Sequence, residues 1–143
     1  MKIIVTIILT YFISLSAIAQ DNVELKEMVG FGCYLGGQPT KTVLKVEKLL
    51  ASKNYEGISK LLTSRNSGEK YLAVISLQRL SDIGKYNLSE IEKELFSKAK
   101  ESDEMVSVCS GCTYFDKVPM KTILSQDDFL GSNYWLDRIL KGK

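Results

Sequence analysis

The chain has 143 residues, 45% hydrophobic and 25% charged, with a formal net charge of +2 and no histidine. Lysines and acids are interspersed and form no basic block, so the chain carries no electrostatic footprint for nucleic acid or another polyanion. Without histidine, Ser-His and Cys-His nucleophile pairs, the commonest general base and the usual His-containing zinc sites are excluded.

The N-terminus reads as a processing signal. Lys2 precedes the apolar run Ile3 to Leu15, and Ala17-Ile18-Ala19 is a small-x-small cleavage sequence. As a helix that run reaches about 20 Å, short of the roughly 30 Å of a bilayer's hydrocarbon core. The expectation is a signal peptide over residues 1–19 and a single domain over 20–143. The product is exported, periplasmic or secreted, with no transmembrane anchor after cleavage. Export places Cys33, Cys109 and Cys112 in an oxidising compartment, and their odd number leaves one thiol over in a monomer.

Met28 to Gly37 (M-V-G-F-G-C-Y-L-G-G) mixes four glycines with Val29, Phe31, Tyr34 and Leu35. The glycines oppose a regular element and the apolar residues oppose free solvation. The segment therefore reads as an ordered lead-in docked on the helices. It does not match G-x-G-x-x-G, and no Gly-Lys-Ser/Thr comes after it, so it is not read as a phosphate loop.

Pro39-Thr40 opens the first helix, which ends near Lys53, with Val43, Val46 and Leu50 on one face. Asn54 caps a second, in which Tyr55, Ile58 and Leu62 repeat the step. Arg65 to Gly68 is a polar corner. A third helix runs from about Glu69 to Ile83 and is apolar over most of its circumference, which predicts burial between neighbours. Gly84 ends it. Asn87-Leu88-Ser89-Glu90 has the spacing of a capping box, opening a fourth helix that runs to Lys100. The same Asn87-Leu88-Ser89 is also a glycosylation sequon.

The run L-L-T-S-R-N-S-G-E-K-Y-L-A-V-I-S-L-Q-R-L within these helices resembles the HEAT-type repeats of α-solenoids. A leucine pair ends one helix, a polar corner comes next, and then a helix rich in small and branched apolar residues. The resemblance covers about one repeat, Glu56 to Ile83. It implies a packed scaffold that binds partners through helix faces. The expected fold is all-α: a short HEAT-like stack of about five or six helices behind a Gly-rich lead-in.

Beyond Lys100 the pattern changes. Met105 to Val108 alternates loosely and suits either a short extended piece or a helix start. Cys109-Ser110-Gly111-Cys112 comes next, then Thr113-Tyr114-Phe115. Pro119 opens a short helix through Leu124. Asp127 to Leu130 is a helical turn stopped by Gly131. Ser132 or Asn133 caps a last helix bearing Trp135, Leu136, Ile139 and Leu140.

The pair Cys109-x-x-Cys112 is the feature with most reactivity, because redox proteins place this spacing at a helix start where the dipole lowers a thiol pKa. Their usual βαβ setting is not visible here. A metal site would need Cys33 and a carboxylate such as Asp116 beside the pair, an uncommon ligand set. The structural reading is a disulfide from Cys33 to Cys109 or Cys112, with a local Cys109–Cys112 bond and intermolecular pairing as the alternatives. Thr113 stands where covalent haem attachment needs histidine. The acid pairs Asp127-Asp128 and Asp103-Glu104 read as solvating. Core packing is the default for the C-terminal aromatics, and Tyr114, Phe115, Tyr134 and Trp135 are partner-surface candidates wherever two or more are exposed together. No cofactor is implied. The functional expectation is an exported, non-enzymatic, protein-binding helical domain, an inhibitor or immunity type being one specific form. The alternative is a periplasmic thiol–disulfide protein using Cys109 and Cys112.

Overall fold

The computed structural model describes residues 23–141, so the signal segment lies outside the described residues. The fold is mostly helical. Helix α1 (Lys41–Ala51) follows Thr40 and buries Thr42, Val43, Val46 and Leu50. Asn54 caps α2 (Tyr55–Lys60), its side-chain oxygen accepting from the Gly57 amide at 2.9 Å, as the sequence predicts. A 3-10 turn, Leu61–Thr63, extends it.

Helix α3 (Ser67–Asp82) begins two residues earlier than predicted, because Asn66 in the corner is itself a cap and accepts from the Glu69 amide at 2.9 Å. Nine of its sixteen residues are buried. They line it on several sides because α3 packs against α1, α2, α4 (Glu90–Glu101), α5 (Met120–Leu124) and the strand β1 (Met105–Ser110). The cap of α4 differs from the expectation. Ser89, not Asn87, occupies it, and the reciprocal partner is Glu92. Both Asn87-Glu90 and Ser89-Glu92 have the required spacing. Ser89 wins because Glu92 can be buried there with further donors, whereas Ile91 is turned outward.

The all-α expectation fails after Ser102. β1 pairs antiparallel with β2 (Tyr114–Pro119), in a register from Met105↔Pro119 to Ser110↔Tyr114. The other edge of β1 is taken by the lead-in, which runs parallel to it through bridges Val29↔Val108 and Cys33↔Gly111. The Val29 amide donates to the Ser107 carbonyl at 2.8 Å, and the Cys109 amide donates to the Val29 carbonyl at 2.9 Å. With both edges paired and α3 against it, β1 has four consecutive buried residues, Val106 to Cys109.

Pro119 precedes α5 as predicted. A 3-10 turn (Phe129–Gly131) then leads through Gly131, at φ 83°, into α6 (Ser132–Leu140). Gly131 rather than Ser132 or Asn133 is the cap. The Asn133 amide is nevertheless satisfied, donating to the Asp128 carboxylate at 2.7 Å. Helix α6 returns to α1. Trp135 lies 5.0 Å from Phe31 between ring centroids and donates its indole N–H to Glu47 at 3.3 Å.

The lead-in backbone packs directly against the start of α3. A Cβ on Gly68 would stand 2.1 Å from the Glu27 carbonyl oxygen, so only glycine lets α3 approach the lead-in backbone this closely. The Glu27 carboxylate accepts from the Ser67 amide and hydroxyl at 3.2 and 3.3 Å, which places a negative charge at the α3 N-terminus, where the helix dipole favours it.

Candidate functional site

Two turns meet at one end of the sheet. In the first, Cys33 and Gln38 exchange backbone hydrogen bonds at 2.9 and 3.0 Å across the four residues Tyr34 to Gly37, and the Gly37 amide donates to the Tyr34 carbonyl at 3.1 Å. In the second, Gly111, at φ 59°, begins the connection from β1 to β2. The turns are joined to each other: the Tyr34 amide donates to the Gly111 carbonyl at 2.9 Å, and the Gly111 amide to the Gly32 carbonyl at 2.9 Å.

Beneath them lies the disulfide Cys33–Cys109, with Cα atoms 5.8 Å apart. Both cysteines are fully buried and pack with Met28. Gly30 is required here. A Cβ on it would fall 2.1 Å from the Cys33 sulfur and 2.5 Å from that of Cys109. Cys112 is a free, exposed thiol. Of the pairings open from the sequence, the structure therefore contains the long-range one.

The exposed surface of this end carries no charge: it is made of residues 34–38 and 111–114. Leu35 at the apex is 96% exposed, Tyr34 is 51% exposed, and Tyr114 on the second turn is also exposed. The rings of Tyr34 and Phe115 are 5.6 Å apart between centroids. Tyr34 has φ 62°, a left-handed conformation that is costly for a bulky side chain and is held here by the hydrogen bonds on both sides of it. From the sequence, Tyr34 and Leu35 are expected to dock inward with the other apolar residues of the lead-in. They point outward because the Gly36-Gly37 pair permits a tight turn at this point. That glycine pair is the signal that could have found them.

The sequence-predicted residues divide. Tyr114 and Phe115 belong to this end. Tyr134, 75% exposed on α6, stands alone elsewhere. Trp135 is 2% exposed and is a core residue, not a surface one: Phe31 and Glu47 cover its ring and its N–H. Cys109-x-x-Cys112 spans a strand end and a turn, so neither sulfur gains from a helix N-terminus. With Cys33 and Cys109 bonded to each other, they are not available as thiolate ligands, and among the described residues no three Cys, Asp or Glu side chains gather to hold a metal ion. Three of the four acids in the pairs Asp103-Glu104 and Asp127-Asp128 have partners: Asp103 with Lys121, Glu104 with Lys70, and Asp128 with the Asn133 amide.

Glu92 is the buried acid that sequence reasoning passed over. Its carboxylate accepts from the Ser59 and Tyr86 hydroxyls at 2.5 and 2.7 Å and from the Ser89 amide and hydroxyl, each at 2.8 Å. Burial pushes its pKa up, but these four donors outweigh burial and hold the carboxyl below its ordinary value. Burial, together with the adjacent Glu92 carboxylate, raises the Tyr86 phenol. Every lone-pair direction of Glu92 has a donor, so this cluster ties α2 to α4 and leaves no room for a substrate. A groove of about 430 Å³ between α3, α5 and α6 is lined by Ile75, Leu124 and Leu136 together with polar Gln78, Asn133 and Arg79, the last already paired to Asp137.

Comparison with protein-family models, with curated proteins and with solved structures finds no match.

Proposed function

We propose that the chain is an exported, non-enzymatic protein-binding domain, of which an inhibitor or immunity protein is one specific form. In this reading the helices from Glu56 to Ile83 act as a HEAT-like scaffold. Their buried faces supply rigidity, and the residues they hold outward make the contact. The observation that carries the reading is the uncharged pair of turns in which Tyr34 and Leu35 are exposed above a buried disulfide. Contiguous exposed apolar residues on a rigid base are characteristic of interaction sites. The disulfide and the lack, among the described residues, of a helix long and apolar enough to cross a membrane are compatible with export. The test is purification of the tagged full-length chain from the exported fraction of its source cells. Stoichiometric co-migration with a second protein is the expected result. A chain that stays monomeric and partner-free there counts against the reading.

The free, exposed Cys112 sustains the second reading, a thiol–disulfide protein. It requires Cys112 to attack Cys109, displacing the Cys33 thiolate and leaving a Cys109–Cys112 bond. Catalysis of insulin reduction by dithiothreitol, the dithiol supplying the electrons, that disappears in Cys112→Ser supports it, and wild-type protein inactive in that assay rejects it.

A further inference from the structure

We infer that Asp116 guards the free edge of β2: by holding the Lys117 amide, it stops a second copy of the chain from adding a strand to the sheet. The inference goes beyond the protein-binding reading and does not depend on it. The first ground is which edge is open. On the lead-in side the Gly30 carbonyl accepts from the Thr40 amide at 3.0 Å, and Cys33 and Gln38 bond each other. Among the described residues β2 pairs with β1 alone, so the sheet has room to grow at β2.

The second ground is which backbone groups face that edge. The Ser107 carbonyl and the Cys109 amide of β1 point to the lead-in, so the backbone groups of Val106, Val108 and Ser110 point to β2. Along an antiparallel ladder, residues that bond the neighbouring strand alternate with residues that face away from it. Val118, Asp116 and Tyr114 stand opposite those three, which turns Phe115, Lys117 and Pro119 to the free edge. Pro119 has no amide hydrogen. The Lys117 amide donates to the Asp116 carboxylate at 2.8 Å. Of the three, Phe115 is left as the donor for an incoming strand, too little for a ladder.

The third ground is charge. Asp116 and Lys117 are both exposed. Two copies of β2 pairing antiparallel about Asp116 set two carboxylates opposite each other, and pairing about Lys117 sets two ammonium groups opposite each other. Like charges directly opposite are destabilising. Pairing about Phe115 avoids both clashes, but it needs the Lys117 amide that Asp116 already holds. Charges and proline on an exposed edge are the general means of keeping it from pairing.

The test removes the guard from the full chain. Asp116→Val with Lys117→Thr deletes both charges and the side-chain acceptor while leaving net charge unchanged. Glu90→Ala with Lys93→Ala deletes an exposed ion pair from α4 and is the control. Sedimentation velocity over a concentration series gives the mass, and amide hydrogen exchange is read at residues 115 and 117. The wild type and the α4 variant are expected to stay monomeric. The β2 variant rises to twice the monomer mass or more, and its amides at 115 and 117 exchange more slowly as concentration rises. Asp116→Asn, whose side-chain oxygen still accepts, stays monomeric. A β2 variant that remains monomeric overturns the inference. So does association that leaves those two amides unprotected, because another surface is then responsible. Wild-type protein already associated through protected 115 and 117 amides overturns it as well. Association of Asp116→Asn would show that charge and not the held amide is the barrier, against the role given to the carboxylate. A β2 variant with no melting transition would show that Asp116 holds the hairpin itself, and also overturns the inference.

Discussion

Replacing Cys33 and Cys109 together by alanine tests the largest single constraint on this molecule. The cysteines are 76 residues apart in sequence. On the chain-entropy model a cross-link of that span removes about 4.5 kcal/mol of disorder from the unfolded state. Domains of this size have only about 5–15 kcal/mol of net stability, so the loss is about 30% or more of the total. Alanine adds no buried hydroxyl where two sulfurs were fully buried, which keeps the comparison clean. The experiment is best done in a Cys112→Ser background, where thiol exchange cannot reshuffle the bonds. With a typical urea dependence of about 2 kcal/mol per molar, the unfolding midpoint falls by roughly 2 M. Far-ultraviolet dichroism keeps its helical shape, because α1 to α4 pack on one another without the bridge. A loss below about 1 kcal/mol would refute the argument that the bridge is what restricts the unfolded chain. So would peptide mapping of the oxidised wild type that finds Cys112 bonded in place of Cys33.

Gly68→Ala raises helix propensity by at most about 1 kcal/mol but sets a methyl 2.1 Å from the Glu27 carbonyl. Displacing that backbone costs roughly 1–3 kcal/mol, so the variant is less stable in urea unfolding, and a stabilised variant would contradict the close approach. Ser76 is fully buried and its hydroxyl has no hydrogen-bond partner. Ser76→Ala is therefore neutral or more stable by up to about 1 kcal/mol, and a clear loss would reveal a partner for the hydroxyl. Glu92 has a folded pKa below its unfolded value, so its contribution is present above pH about 4.3 and is lost as pH falls through the folded value. Glu92→Gln costs roughly 1–3 kcal/mol at neutral pH, since its amide nitrogen cannot accept, and it flattens the acid limb of the stability curve. An acid limb as steep as wild type would show that other carboxylates control it.

The helices were legible because each declares itself locally. Asn54 with its 3-to-4-residue apolar step gives α2, and the breadth of the apolar surface of α3 announces burial on several sides. The strands were not legible, for a reason visible in β1. Alternation appears only when one face of a strand is wet, and Val106 to Cys109 are all dry. Nor can a local pattern reveal that residue 29 pairs with residue 108. The cysteines alone hinted at so distant a contact. At the candidate site the same division holds. Tyr114 and Phe115 were found as aromatics beside a cysteine pair, whereas Leu35 was missed because an isolated leucine among glycines ordinarily packs inward. Trp135 was misplaced for the converse reason: its exposure depends on Phe31, more than a hundred residues away.

The Cys33–Cys109 bond also has a topological consequence. It makes residues 33–109 a covalent ring that contains α1 to α4 in full. A protease that nicks the chain once within that ring, for example in the exposed stretch between α3 and α4, opens a circle and releases no fragment until the bond is reduced. A nick beyond Cys109 differs in kind. The segment carrying α5 and α6, with Trp135 at its centre, hangs from the ring by a single strand of backbone, and after such a cut only its packing holds it in place.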